Sequence, residues 1–330
     1  MNKHITKFNI LDIVRSQSDI ITLVILFIIA STICGKVFIR SSNLVNILSR
    51  ASILGVIALG QTLVILTAGI DLSVAANLGL YIAVNALLTR LGMDPLVAMI
   101  VALIFPIIVG FINGSLCAYT RIPPFIVTLG MMMILASVKL AVIGTHATEF
   151  PEIQSFFFRL MAYIPSVDER ALPIFVCAII LIFFTLLLRY SRLGYNIYAV
   201  GGSQIAAKFS GIDIKFVKIS VYTLSGFLTG IAALLLIIKL GGVNPVAGKE
   251  FLLESIAATV IGGTSLNGGE GKLTGTVVGA ITISILVNMM NLKGVNPFLQ
   301  DAIIGGIFII FVYTHNLIHG FYLLRKESKL

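Results

Sequence analysis

The chain has 330 residues, 58% of them hydrophobic and 11% charged, with a mean hydropathy of +1.06. A water-soluble domain of this length cannot hide so much apolar surface, so the soluble globular classes are excluded. The formal net charge of +9 is not read as nucleic-acid binding, because basic residues kept in cytoplasmic loops set membrane topology.

Apolar runs of about 20 residues recur along the chain, the length that carries a helix across a bilayer core. The fold class is therefore an all-α polytopic membrane protein of about ten transmembrane helices with both termini cytoplasmic. Residues 1–19 form a basic tail, 20–318 a single transmembrane domain and 319–330 a second tail. Spans are expected near 20–37 and 44–68, after 73 up to 91, and at 95–119, 125–143 and 173–188. The rest fall at 219–240, from 251, at 273–292, and after 297 up to 313. Pro95 is placed as the first residue of its helix. Broken or re-entrant segments are expected near 69–73 and 251–272, where glycines interrupt the apolar pattern.

Two polar loops stand out. Residues 145–172 carry Glu149, Glu152, Asp168 and Glu169 against Arg159 and Arg170, which suits the outside face. Their stretch 151–161, with Phe156, Phe157 and Phe158, either docks a partner or lies flat on the membrane. Residues 189–218 carry Arg189, Arg192, Lys208, Lys215 and Lys218 against Asp213, which places them inside. Within them, 201–212 reads as a short helix between glycine stops, with Ser203 as N-cap and Gly211 just past the end. A capped helix in a basic cytoplasmic loop is available to a partner protein. Its expected contact residues are Gly201, Gly202, Gln204, Ala206, Ala207, Lys208, Ser210 and Gly211.

An internal echo runs at an offset of 202: Gly60, Thr62, Gly69, Gly92 and Pro95 match Gly262, Thr264, Gly271, Gly294 and Pro297, and Asp94 faces Asn296. Six crossings between the copies make such a repeat parallel and five make it inverted.

Polar groups recur at depth. An ionised carboxylate at the centre of a span costs about 2.5–3.5 kcal/mol on insertion scales, so Asp71 requires a reason. It either caps the following span or offers a carboxylate to a water-filled path. Asp71, Ser73, Asn77, Asn288 and Asn291 are the candidate translocation-path residues; each Asn can equally bond a neighbouring helix. Cys34, Cys117 and Cys177 sit in apolar runs and read as small buried hydrophobes. Residues 269–273 imitate the end of a phosphate loop, but Leu266 and Leu273 replace the required glycine and hydroxyl. No catalytic residue, metal site or cofactor is expected. From the residues alone, a stand-alone secondary transporter or channel using Asp71 and Glu254 stays open.

Three stretches taken together resemble one family. They are 63–74 (LVILTAGIDLSV), the run YAVGG at 198–202 with Ala206-Ala207 and Ser210-Gly211-Ile212, and SIAA at 255–258 with GGTSL at 262–266 and Gly268-Gly269. In that order they look like the permease subunit of ribose-type sugar importers driven by ATP, the inner-membrane component of binding-protein-dependent transport. Leu252-Leu253-Glu254 stands where that family usually has Glu-Leu-Asp. The resemblance implies two ATPase subunits under the coupling loop, a second permease copy or paralogue, and a periplasmic binding protein delivering a small monosaccharide. It implies a bacterial inner-membrane location and no ATP hydrolysis by this chain.

Overall fold

A computed structural model describes residues 18–144, 148–162, 171–243, 248–310 and 313. Most of the two tails, parts of the 145–172 loop and the end of the last span lie outside these residues. Among the described residues the fold is helical apart from one antiparallel pair, Thr148–Glu149 with Gly242–Val243. Seven segments are long and apolar enough to cross a membrane, and three shorter apolar helices accompany them.

In chain order, α1 is Ser18–Cys34, α2 Ser41–Leu66, α3 Val74–Arg90, α4 Pro95–Ala102, α5 Ile104–Tyr119 and α6 Pro124–Ile143. The outer helix α7, Pro151–Ala162, leads to α8, Leu172–Tyr190. Two helices, α9 (Arg192–Gly202) and α10 (Gln204–Phe209), then precede α11, Ile214–Leu240. Phe251–Ile261 is α12, Leu273–Leu292 is α13 and Pro297–Ile310 is α14.

The core is built on α2, which is almost wholly buried from Ala51 to Leu66. Helices α11, α12 and α13 pack around it, while α5, α6 and α8 turn rows of Ile, Phe and Leu outward, as lipid-facing surfaces must. Lipid offers no hydrophobic drive between helices, so close crossings rest on small residues. At the α5–α11 crossing a side chain on Gly110 would strike the Tyr222 carbonyl, and one on Gly226 the Pro106 carbonyl.

The echo at offset 202 has a structural counterpart. Helix α2, a break, α3, a left-handed glycine turn (Gly92, φ +89) and the Pro-started α4 are answered by α12, a break, α13, a second such turn (Gly294, φ +67) and the Pro-started α14. Asp94 accepts from the Leu96 and Val97 amides, and Asn296 accepts from the Phe298 amide. The two breaks touch, since the Leu66 carbonyl accepts from the Gly269 amide at 2.9 Å. Contacts step along both helices in one direction, from Arg50–Glu254 to Ala58–Thr259, so α2 and α12 run in the same sense.

Candidate functional site

The hairpin formed by α9 and α10 has the local structure its residues dictate. The Ser203 hydroxyl accepts from the Ala206 amide at 3.2 Å and caps α10. Gly211 takes φ +79 just past its end, where glycine pays no steric cost. Asp213 then caps α11 by accepting from the Lys215 and Phe216 amides. Helix α9 was not expected from the sequence, although Leu193, Ile197 and Val200 follow the spacing of one helix face; Ile197 and Val200 are buried.

This hairpin meets the core most tightly at Gly201. Gly201 lies so close to the end of α2 and the loop before α13 that a side chain there would collide with the Leu66 carbonyl. The Tyr198 hydroxyl donates to the Gly271 carbonyl at 2.9 Å, and burial raises the phenol above its usual value. It therefore remains a donor through neutral pH.

Of the residues expected to meet a partner, Gly202, Gln204, Ala206, Lys208, Ser210 and Gly211 are exposed and Gly201 is partly so. Ala207 is buried, 4% exposed, and faces the chain's own interior. Ile205 and Phe209, which sequence reasoning passed over, are 73% and 89% exposed. Their signal was two large apolar side chains on a short helix within a polar loop. Basic groups flank them, with the Lys215 ammonium 4.4 Å from the centre of the Tyr119 ring.

The path residues fall into two separate groups. At the break after α2, Asp71 accepts from the Ser73 amide and hydroxyl at 2.9 and 2.6 Å. Ser225 reaches its other oxygen at 3.4 Å, and Asn113 donates to the Ser73 hydroxyl. Asp71 thus organises the turn into α3 and ties it to α5 and α11, while Asn77 donates to the Pro106 carbonyl one turn further on. All of these groups are buried. Asn288 instead exchanges two amide hydrogen bonds with Asn43 at 3.1 and 2.9 Å, and Asn291 accepts from Gln300. At 1.5 Å per residue, Asn43 and Leu66 are about 34 Å apart along α2, so these asparagines belong to the opposite end of the molecule.

Glu254 is not a lone carboxylate. Arg50 clamps both its oxygens at 2.7 and 2.9 Å, and the Glu254 side chain is 4% exposed. The Arg50 charge, set within a helix long and apolar enough to cross a membrane, is thereby paired across α2 and α12.

These features define a polytopic helical membrane protein with a rigidly mounted, partly apolar, basic hairpin at one end. The family described as "Branched-chain amino acid transport system / permease component" matches residues 43–312. The ribose import permease protein RbsC of Escherichia coli strain K12 is 35% identical over 306 residues, 91% of this chain and 93% of that protein. The D-allose transport system permease protein AlsC of the same organism is 34% identical over 298 residues, 90% of each chain. The fructose import permease protein FrcC of Rhizobium meliloti is 35% identical over 300 residues, 89% of this chain and 83% of that protein. No solved structure matches the chain. The chain belongs to this permease family: it is a transport subunit and not an enzyme.

Proposed function

We propose that this chain is the membrane subunit of an ATP-driven importer for a small monosaccharide, a ribose-like pentose, a hexose or a related ligand. The names of its ribose, allose and fructose relatives support the ligand class. In this reading ten crossings place both termini and the α9–α10 hairpin in the cytoplasm of a bacterial inner membrane. Two ATPase subunits bind the hairpins of two permeases, the second a copy or paralogue, and a periplasmic binding protein delivers the sugar.

The observation that carries the reading is the exposed face of α10, Ile205 and Phe209, on a hairpin seated at the junction of α2 and α13. A push on α10 passes through Gly201 and Tyr198 directly to the two helix breaks. Asp71, Ser73 and Asn77 line one end of the proposed path and Asn288 and Asn291 the other. The stand-alone transporter reading uses Asp71 and Glu254 as ion groups; Arg50 already pairs Glu254, and Ser73 and Ser225 hold Asp71, which favours the importer reading. A population shift between outward and inward states requires a partner that binds the two differently, and the hairpin is where an ATPase would do so.

Ala206 is exposed, so Ala206→Glu alters the docking face and leaves the internal packing alone. Uptake by cells carrying the complete system is expected to fall to background while the membrane level of the chain is unchanged. Normal uptake by that variant contradicts the coupling role.

A further inference from the structure

The end of the molecule remote from the hairpin holds a cleft of about 590 Å³ between α2, the start of α12, α13 and α14. Arg50 on its wall lies 16 residues before Leu66, hence about 24 Å along α2 from the hairpin junction. The volume falls within the range of about 300–1,000 Å³ typical of small-molecule sites. The wall includes the Arg50–Glu254 pair, and Glu250, Phe298, Gln300 and Asp301.

We propose that this cleft is a binding site for a small, neutral, polyhydroxylated solute. The inference rests on the transport reading above and adds the place where the chain itself holds its cargo. Hydroxyl groups both donate and accept, and the wall offers both kinds of partner. The Arg50 guanidinium has five N–H donors in a fixed fork; two bonds go to Glu254 and a long one, 3.5 Å, to Ser284. Further donors therefore remain for a solute hydroxyl. Carboxylate and amide oxygens on Glu250, Asp301 and Gln300 supply acceptors. Three carboxylates in the wall against the two cations Arg50 and Lys249 disfavour an anion. Phe298, 86% exposed, sets an aromatic face at the mouth for the apolar side of a sugar ring.

The ion pair itself argues for a ligand role. A buried pair is seldom more stabilising than apolar side chains of the same volume. Arg50 is further held 5.6 Å over the Phe251 ring, which fixes the guanidinium before any solute arrives. Such preorganisation lowers the cost of binding.

Thiol protection in sealed vesicles carrying the complete transporter tests the site without depending on transport. Leu253→Cys, at an exposed position of the cleft wall given no role in binding, is labelled from outside with a membrane-impermeant maleimide, with and without D-ribose, D-allose, D-fructose or L-leucine. At least one sugar is expected to slow labelling by about threefold or more, since occupancy of a site excludes the reagent in proportion to binding. Phe156→Cys on α7 is expected to label at the same rate with and without each solute. Arg50→Lys, which keeps the charge and loses the fork, is expected to abolish protection while Leu253→Cys still labels. Equal labelling with and without every solute overturns the site, as does protection by leucine alone. Protection that survives Arg50→Lys overturns the role given to the guanidinium. Labelling of Leu253→Cys only from the inner side overturns the orientation on which both readings depend, whereas the ATPase role of the hairpin is tested separately by Ala206→Glu.

Discussion

Single residues carry this fold where elements approach too closely for a side chain. Gly201 is the sharpest case, because it is the point at which α9, α2 and the loop before α13 meet without room for a methyl group. Overpacking a tight contact costs about 1–3 kcal/mol and shifts backbone. Gly201→Ala is therefore expected to leave the chain in the membrane but abolish most uptake, with the hairpin becoming more sensitive to protease added from its own side of the membrane. Unchanged uptake contradicts the junction. Local chemistry of this kind was legible in the sequence: Ser203 and Gly211 bond backbone groups three residues away, Pro95 presets its own φ at the first position of its helix, and these roles follow from spacing alone. The partners of Asn288 and Glu254 were not legible. They lie 245 and 204 residues away, and no periodicity along one helix encodes which distant helix faces it.

At the scale of elements, long uniform apolar runs announced α2, α6, α8 and α13 to within a few residues, because burial in lipid rewards every apolar position alike. Helix α9 was hidden in a stretch read as loop, since its Arg, Asn and Tyr residues diluted the apolar signal. The irregularity between α4 and α5 at Leu103 follows from Pro106, which has no amide hydrogen to give the Ala102 carbonyl four residues earlier; the apolar run continues through it and reads as one span. Structure also separates two neighbours that the sequence treated alike. Ala207 is buried and Ala206 is not, so a carboxylate at the first position must be buried without a partner. Ala207→Glu is expected to unseat the hairpin, giving rapid proteolysis between α8 and α11 and a reduced membrane level. Ala206→Glu is expected to resist protease like the unaltered chain. Equal protease patterns for the two would contradict the packing described here.

Across the whole molecule, two similar units run in the same sense and share the junction beneath α2. Their likeness was faint in the sequence because only turn and cap positions need particular residues, whereas the intervening apolar positions exchange freely. In the structure the units are joined by threonines at the helix crossing, with the Thr62 and Thr276 hydroxyls 2.7 Å apart and Thr259 donating to the Ala58 carbonyl. This arrangement puts the hairpin and the Arg50 cleft at opposite ends of one buried helix, a geometry suited to coupling an event on one membrane face to an opening on the other.

The central claim is that an ATPase grips the α10 face from inside the cell. Site-directed crosslinking from Gln204→Cys in intact membranes of cells carrying the complete system addresses it most directly. The account predicts that the crosslink captures the ATPase subunit, and that adding ATP changes its yield. A crosslink that never captures the ATPase, or a cysteine at this position labelled by impermeant reagent from outside the cell, would contradict it.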